Sequence, residues 1–212
     1  MHGEKDKTLA KFKKAIKFTK ELHPTDLEWI LSRTELVEDV DDFLEEYIYV
    51  VVASGFKGKI AASYSTKLAA CDGDDGRMGE IFRNKAKTRA IADVYTRFKH
   101  GPDAAASWSS FRATLLDQGE DYLTTLPRIG PVVKSHLARN IGLVSVAKPD
   151  LHMIRLAAGL GWGTDRPAVE AMVAFSAGEV GMPVGATDFC MWVWLSHGGK
   201  EADCCRGKYR LR

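Results

Sequence analysis

The chain has 212 residues, 45% of them hydrophobic, with a formal net charge of +2 and no apolar run of bilayer length. That composition supplies the core of a single globular protein in one or two small lobes, and it excludes disordered and membrane-spanning classes. Four cysteines (Cys71, Cys190, Cys204 and Cys205) without a secretory leader pattern predict a cytoplasmic protein with reduced thiols.

The charges are unevenly spread. Residues 5–20 carry seven lysines, and residues 35–46 carry seven acids and no base. Such asymmetry fits either one face for nucleic acid and one for solvent, or simply solvated helix faces. Lys7 to Leu22 reads as an amphipathic helix with Leu9, Phe12, Ile16 and Thr19 on one side. Thr25, with Glu28 three residues on, predicts a capping box for a second helix. Val40 to Ser54 begins acidic and becomes apolar on all sides, which marks a buried central helix. Gly55 to Gly58 breaks it, and Ile60 to Cys71 resumes the helical pattern. Arg77 to Lys99 is basic and helical, with a break at Asn84. Ala104 to Asp117 places Trp108, Phe111 and Leu115 on one stripe. Ala168 to Val180 and Ala186 to His197 are the last two helices, and a basic tail, RGKYRLR, follows. Without alternating strand patterns or repeats, the class is all-α in two helical lobes, expected at about residues 25–120 and 121–200, the second joined by the N-terminal helix.

Residues 122–156 carry the most chemistry. Leu126-Pro127 ends a short helix, and Arg128-Ile129-Gly130 forms a tight turn in which Gly130 is free to take positive φ. Pro131 suits a first helical position, and Val133, Leu137 and Ile141 form a stripe on the helix that follows. The hairpin amides and the helix N-terminus then point outward together, an anion site. Pro149 biases Lys148 away from helix, and Asp150 stands as N-cap of a helix from Leu151 to Leu160.

These residues resemble the helix–hairpin–helix (HhH-GPD) DNA glycosylase superfamily, which includes endonuclease III and the alkyladenine and adenine glycosylases. Its LPGVG-like hairpin is matched by Leu126-Pro127-Arg128-Ile129-Gly130. Its V-D-T-H-x-x-R-V-like motif is matched by Pro149-Asp150-Leu151-His152-Met153-Ile154-Arg155-Leu156, with Asp150 20 residues after Gly130. Phe82-Arg83-Asn84-Lys85-Ala86 is similar to its Y-N-x-K-A helix start, and Leu195-Ser196-His197-Gly198 to its closing L-H-G. These anchors span about residues 40–200. Arg128 departs from the family's usual Gly.

The resemblance implies the two-lobed HhH-GPD fold, double-stranded DNA as partner, no membrane, a monomer, and extrusion of a base from the stack. Asp150 would stabilise the oxocarbenium-like sugar and activate water. His136, Lys134 and His152 are further catalytic or supporting candidates. Arg128, Ile129, Gly130, Val132 and Lys134 would contact phosphate, with Lys57. Phe56 reads either as a wedge into the DNA or as a side chain packed across its turn. Trp108, Tyr122 and Trp192 are candidates for the base pocket. Bifunctional relatives carry a lysine nucleophile where this chain has Val132, so a monofunctional enzyme is expected. Some relatives hold an iron–sulfur cluster after the closing helix; adjacent Cys204 and Cys205 without the remaining ligands predict none. No other metal or cofactor is expected, although a monovalent or divalent ion at the hairpin is compatible with the reading. The K-P-D-x-H form is closer to phage and defence branches, pointing to a hypermodified pyrimidine. Two alternatives remain: a phage-type base-modification transferase on activated 5-hydroxymethylpyrimidine, and a non-catalytic HhH module that only binds DNA.

Overall fold

Between Val40 and Ala53 the chain forms a helix whose Phe43, Leu44, Tyr47, Ile48, Val50, Val51 and Val52 are all buried. This is the apolar stretch that its sequence marked as central. Its first turn is held by Asp39, whose carboxylate accepts hydrogen bonds from the Asp41 and Asp42 N–H groups at 2.6 and 3.4 Å. The computed structural model describes residues 2–56, 58–143 and 145–199. Lys57, Cys204, Cys205 and the basic tail lie outside them.

In chain order the α-helices are α1 (His2–Leu22), α2 (Pro24–Ser32), α3 (Val40–Ala53), α4 (Gly58–Ala69), α5 (Asp75–Ile81), α6 (Lys85–Tyr95), α7 (Ala104–Gln118), α8 (Pro131–Asn140), α9 (Leu151–Gly159), α10 (Arg166–Val180) and α11 (Val184–Ser196). A π-helical turn, Thr96–His100, extends α6, and a 3₁₀ segment, Gly119–Thr125, follows α7. No strand occurs among the described residues, as the all-α class requires. The expected break at Asn84 is present, and the Asn84 side chain accepts from the Lys87 N–H at 3.3 Å. The Thr25 capping box is not formed. Helix α2 starts at Pro24, two residues earlier, because proline at N1 leaves no N–H to satisfy, and His23 is the N-cap without a side-chain cap bond.

Two compact units result: residues 1–34 with 145–212, and residues 35–144. This differs from the expected lobes. The hairpin belongs to the 35–144 unit, whereas Asp150 belongs to the other. Packing is the reason. Leu123, Leu126, Ile129, Leu137 and Ile141 are all at most 5% exposed within the core that α3 centres. The Tyr47 hydroxyl donates to the Pro127 carbonyl at 2.8 Å, and the Asn140 amide donates to Glu46 Oε2 at 2.9 Å. The acidic run is thus partly structural, since Asp41 also pairs with Lys99 at 2.6 Å.

In the other unit α1 has apolar residues on two sides. Phe12 and Ala15 pack with Met153, Leu156, Val169, Met172 and Met191. Ile16 packs with Leu27, Ile30, Phe189, Cys190 and Val193. Fully burying a side chain the size of Phe12 contributes about 1.5–3 kcal/mol. Cys190 is a buried free thiol whose pKa burial pushes up to about 11. No described helix is long and apolar enough to cross a membrane.

Candidate active site and hairpin

Asp150 sits where the sequence expects, at the N-cap of α9. Its Oδ1 accepts from the His152 and Met153 N–H groups at 3.0 and 3.1 Å, which fixes the carboxylate at the positive end of the helix. Upstream the chain makes a three-residue turn about Pro149: the Asp150 N–H donates to the Lys148 carbonyl at 2.8 Å. The turn folds Lys148 back on the cap. Its ammonium lies 3.8 Å from Asp150 Oδ2, with side chains only 15% and 16% exposed, and 5.6 Å from the centre of the Trp192 ring. Asp150, Lys148 and Trp192 therefore form one half-buried constellation. One carboxylate oxygen is anchored by the backbone, and the other faces a cation. His152 and Arg155 are half-buried in the first turns of the same helix.

Lys148 is the residue that sequence reasoning missed. It was read only through the conformational effect of Pro149. The signal was present, because a Lys-Pro-Asp triplet ahead of a helix brings positions 148 and 150 to the same side of a tight turn.

At the hairpin, the structure corrects the backbone. Gly130 has φ −95° and ψ −178°, and positive φ falls instead on Arg128, at +65°. Pro131 explains it, since a residue before proline is driven to extended conformations. Arg128 then takes the left-handed geometry at a cost of about 1–2 kcal/mol. Its exposed side chain reaches back to the Ala86 carbonyl at 3.4 Å. Arg128→Gly should therefore stabilise the protein by about 0.5–1 kcal/mol after the larger unfolded-state entropy of glycine is counted, read as a raised denaturant midpoint. Behind the turn, Lys87 donates to the Val52 and Ser54 carbonyls at 3.2 and 2.5 Å, closing the end of α3. Burial, and then the Arg128 guanidinium, push its ammonium pKa down. Burial raises the Tyr47 hydroxyl pKa, so it stays a donor to the hairpin.

Of the expected hairpin contacts, Val132 is 41% exposed on the first turn of α8, and Ile129 is buried beneath the turn. Lys134 is not a surface contact. It is 9% exposed, paired with Asp121 and lying 3.7 Å from Glu120. It is withdrawn because α8 packs closely from Lys134 onward. His136 is buried too, its ring edge-on to Tyr49 at 5.7 Å. Phe56 shares both readings: it packs on Phe82 at 5.5 Å yet stays 41% exposed. Two pocket candidates, Trp108 and Tyr122, are half-buried and pack against core aromatics. Trp108 packs against Phe43 at 4.9 Å and donates to the Glu38 carbonyl, and Tyr122 packs on Phe111 at 5.3 Å. Aromatic rings pack edge-on or tilted against one another, as these do. Among the described residues no group of three or more His, Cys, Asp or Glu could hold a metal ion.

The geometry defines an all-helical protein with a tight helix–turn–helix in one unit and a cap-anchored carboxylate beside a lysine in the other. No protein-family model, no curated protein and no solved structure matches the chain.

Proposed function

We propose that the protein is a monofunctional DNA N-glycosylase that excises a modified base, with Asp150 as its central residue. The single observation that carries the reading is the state of that carboxylate. It is anchored through Oδ1 by two backbone N–H groups, and its Oδ2 is turned to a half-buried cation. A carboxylate so fixed costs little reorganisation when positive charge develops nearby. In the reaction the N-glycosidic electron pair leaves with the base, and C1′ of the sugar becomes cationic. Asp150 stabilises that charge and takes a proton from water, whose hydroxyl adds to C1′. The departing base is protonated from solvent. No cofactor is required for these steps.

Water is the favoured nucleophile because Val132 has no amine and the amine of Lys134 is held by Asp121 and Glu120. Borohydride reduction with abasic DNA should yield no adduct at Lys134. A trapped complex that disappears in Lys134→Ala contradicts the monofunctional reading.

Lys148 should meet the phosphate of the extruded nucleotide, exchanging its carboxylate partner for a stronger anionic one. Lys148→Gln is expected to lower kcat/KM about tenfold and to reduce by about 1 the slope of log affinity against log salt. Titrations at four salt concentrations check this; an unchanged slope removes Lys148 from the interface. The same ammonium favours a second reading, a transferase on an activated 5-hydroxymethylpyrimidine, whose leaving group is anionic. That reaction leaves the glycosidic bond intact, and mass spectrometry of the DNA distinguishes it from base release.

A further inference from the structure

In the unit that holds Asp150, a concavity of about 430 Å³ lies between α1 and the end of α11. It is lined by Lys11, Lys14 and Phe18 from one face of α1, and by Trp194, His197 and the Gly198-Gly199 backbone. Lys11 and Lys14 bring positive charge, and among the described residues no carboxylate lines it. The Lys11 ammonium stands over the Trp194 ring, 5.7 Å from its centre. His197 is oriented from behind: its Nδ1 lies 2.9 Å from the Val193 carbonyl, and its ring is 4.8 Å from His23 and 5.6 Å from Phe18. Gly199 lies flat on the indole, where a Cβ would come within 2.4 Å of the ring, so the backbone itself forms one wall.

A common structural role for lysines near a helix end is to satisfy its last carbonyls. That need is already met, because the Val193, Trp194 and Leu195 carbonyls accept from the His197, Gly199 and Gly198 N–H groups at 3.2, 2.9 and 3.1 Å. Lys11 and Lys14 border an open, partly aromatic hollow. Its volume falls in the range of small-molecule sites and far exceeds a bare phosphate. Cation plus aromatic wall suits a phosphorylated heterocycle.

We infer that this hollow is a nucleotide-binding site, distinct from Asp150, in which Lys11 and Lys14 hold the phosphate and Phe18 and Trp194 wall the base. The nucleotide is either free or the terminal unit of a DNA strand. The inference does not depend on the proposed glycosylase activity.

The test is calorimetric titration of the full-length protein with dTMP, with a 5′-phosphorylated oligothymidylate and with inorganic phosphate. Saturable binding of dTMP or of the oligonucleotide at or below about 1 mM is expected, with phosphate at least tenfold weaker. Binding of both assigns the free nucleotide, and binding of the oligonucleotide alone assigns the strand end. Lys11→Gln/Lys14→Gln should weaken either at least tenfold, and Lys14→Gln alone, an exposed change that cannot unfold the helix, about threefold. Asp150→Asn should leave the titration unchanged. No saturable binding, binding that the double variant alters less than twofold, or phosphate binding as well as dTMP overturns the inference.

Discussion

Asp150→Asn should lower base release at least a thousandfold while leaving both DNA affinity and folding intact. The variant is informative because asparagine is as good an N-cap as aspartate. Its side-chain oxygen can still accept from the His152 and Met153 N–H groups, which now bond to Oδ1 at 3.0 and 3.1 Å. What the substitution removes is the charge. Loss of an anion that answers a developing cation, and of the group that takes a proton from water, together account for a drop of this size. Single-turnover rates with matched DNA binding check it. A variant within tenfold of the parent means that Asp150 is only a cap.

Gly142→Ala should destabilise the protein by about 3–5 kcal/mol, and Gly130→Ala should be nearly neutral to folding. Gly142 has φ +71°, and a Cβ there would stand 2.0 Å from the Glu35 carbonyl oxygen. Left-handed strain of about 1–2 kcal/mol adds to the cost of displacing a backbone carbonyl. The carbonyl has little room to yield, because the neighbouring Val37 N–H donates to the Ile141 carbonyl at 2.9 Å. At Gly130 nothing lies within 4 Å of a Cβ and φ is −95°. Denaturant unfolding of the two variants separates the positions. Equal midpoints would contradict the described turn.

The helical class, the burial of α3 and the cap at Asp150 were legible because each depends on local pattern: apolar residues all round a helix, or an Asp before an apolar-periodic run. The hairpin's conformation was half legible. Gly130 drew attention by its freedom, but Pro131 restricts the residue before it and passes the left-handed position to Arg128. What local pattern could not reveal was tertiary. Lys134 is withdrawn by Glu120 and Asp121, fourteen and thirteen residues upstream. Trp108 and Tyr122 pack against the core aromatics Phe43, Phe98 and Phe111. The unit boundary follows from α8 packing on α3, far away in sequence. Lys148 lies between these cases, two residues from Asp150 but brought beside it by a turn whose hydrogen bond only the fold displays.

The most direct test is to incubate the protein with DNA containing uracil, alkylated, oxidised, hydroxymethylated or glucosylated bases, and to assay free base and alkali-labile sites by mass spectrometry. The account predicts release of one modified base with stoichiometric abasic sites, abolished in Asp150→Asn. A mass change on the polymer without release of base, or release that persists in Asp150→Asn, contradicts it.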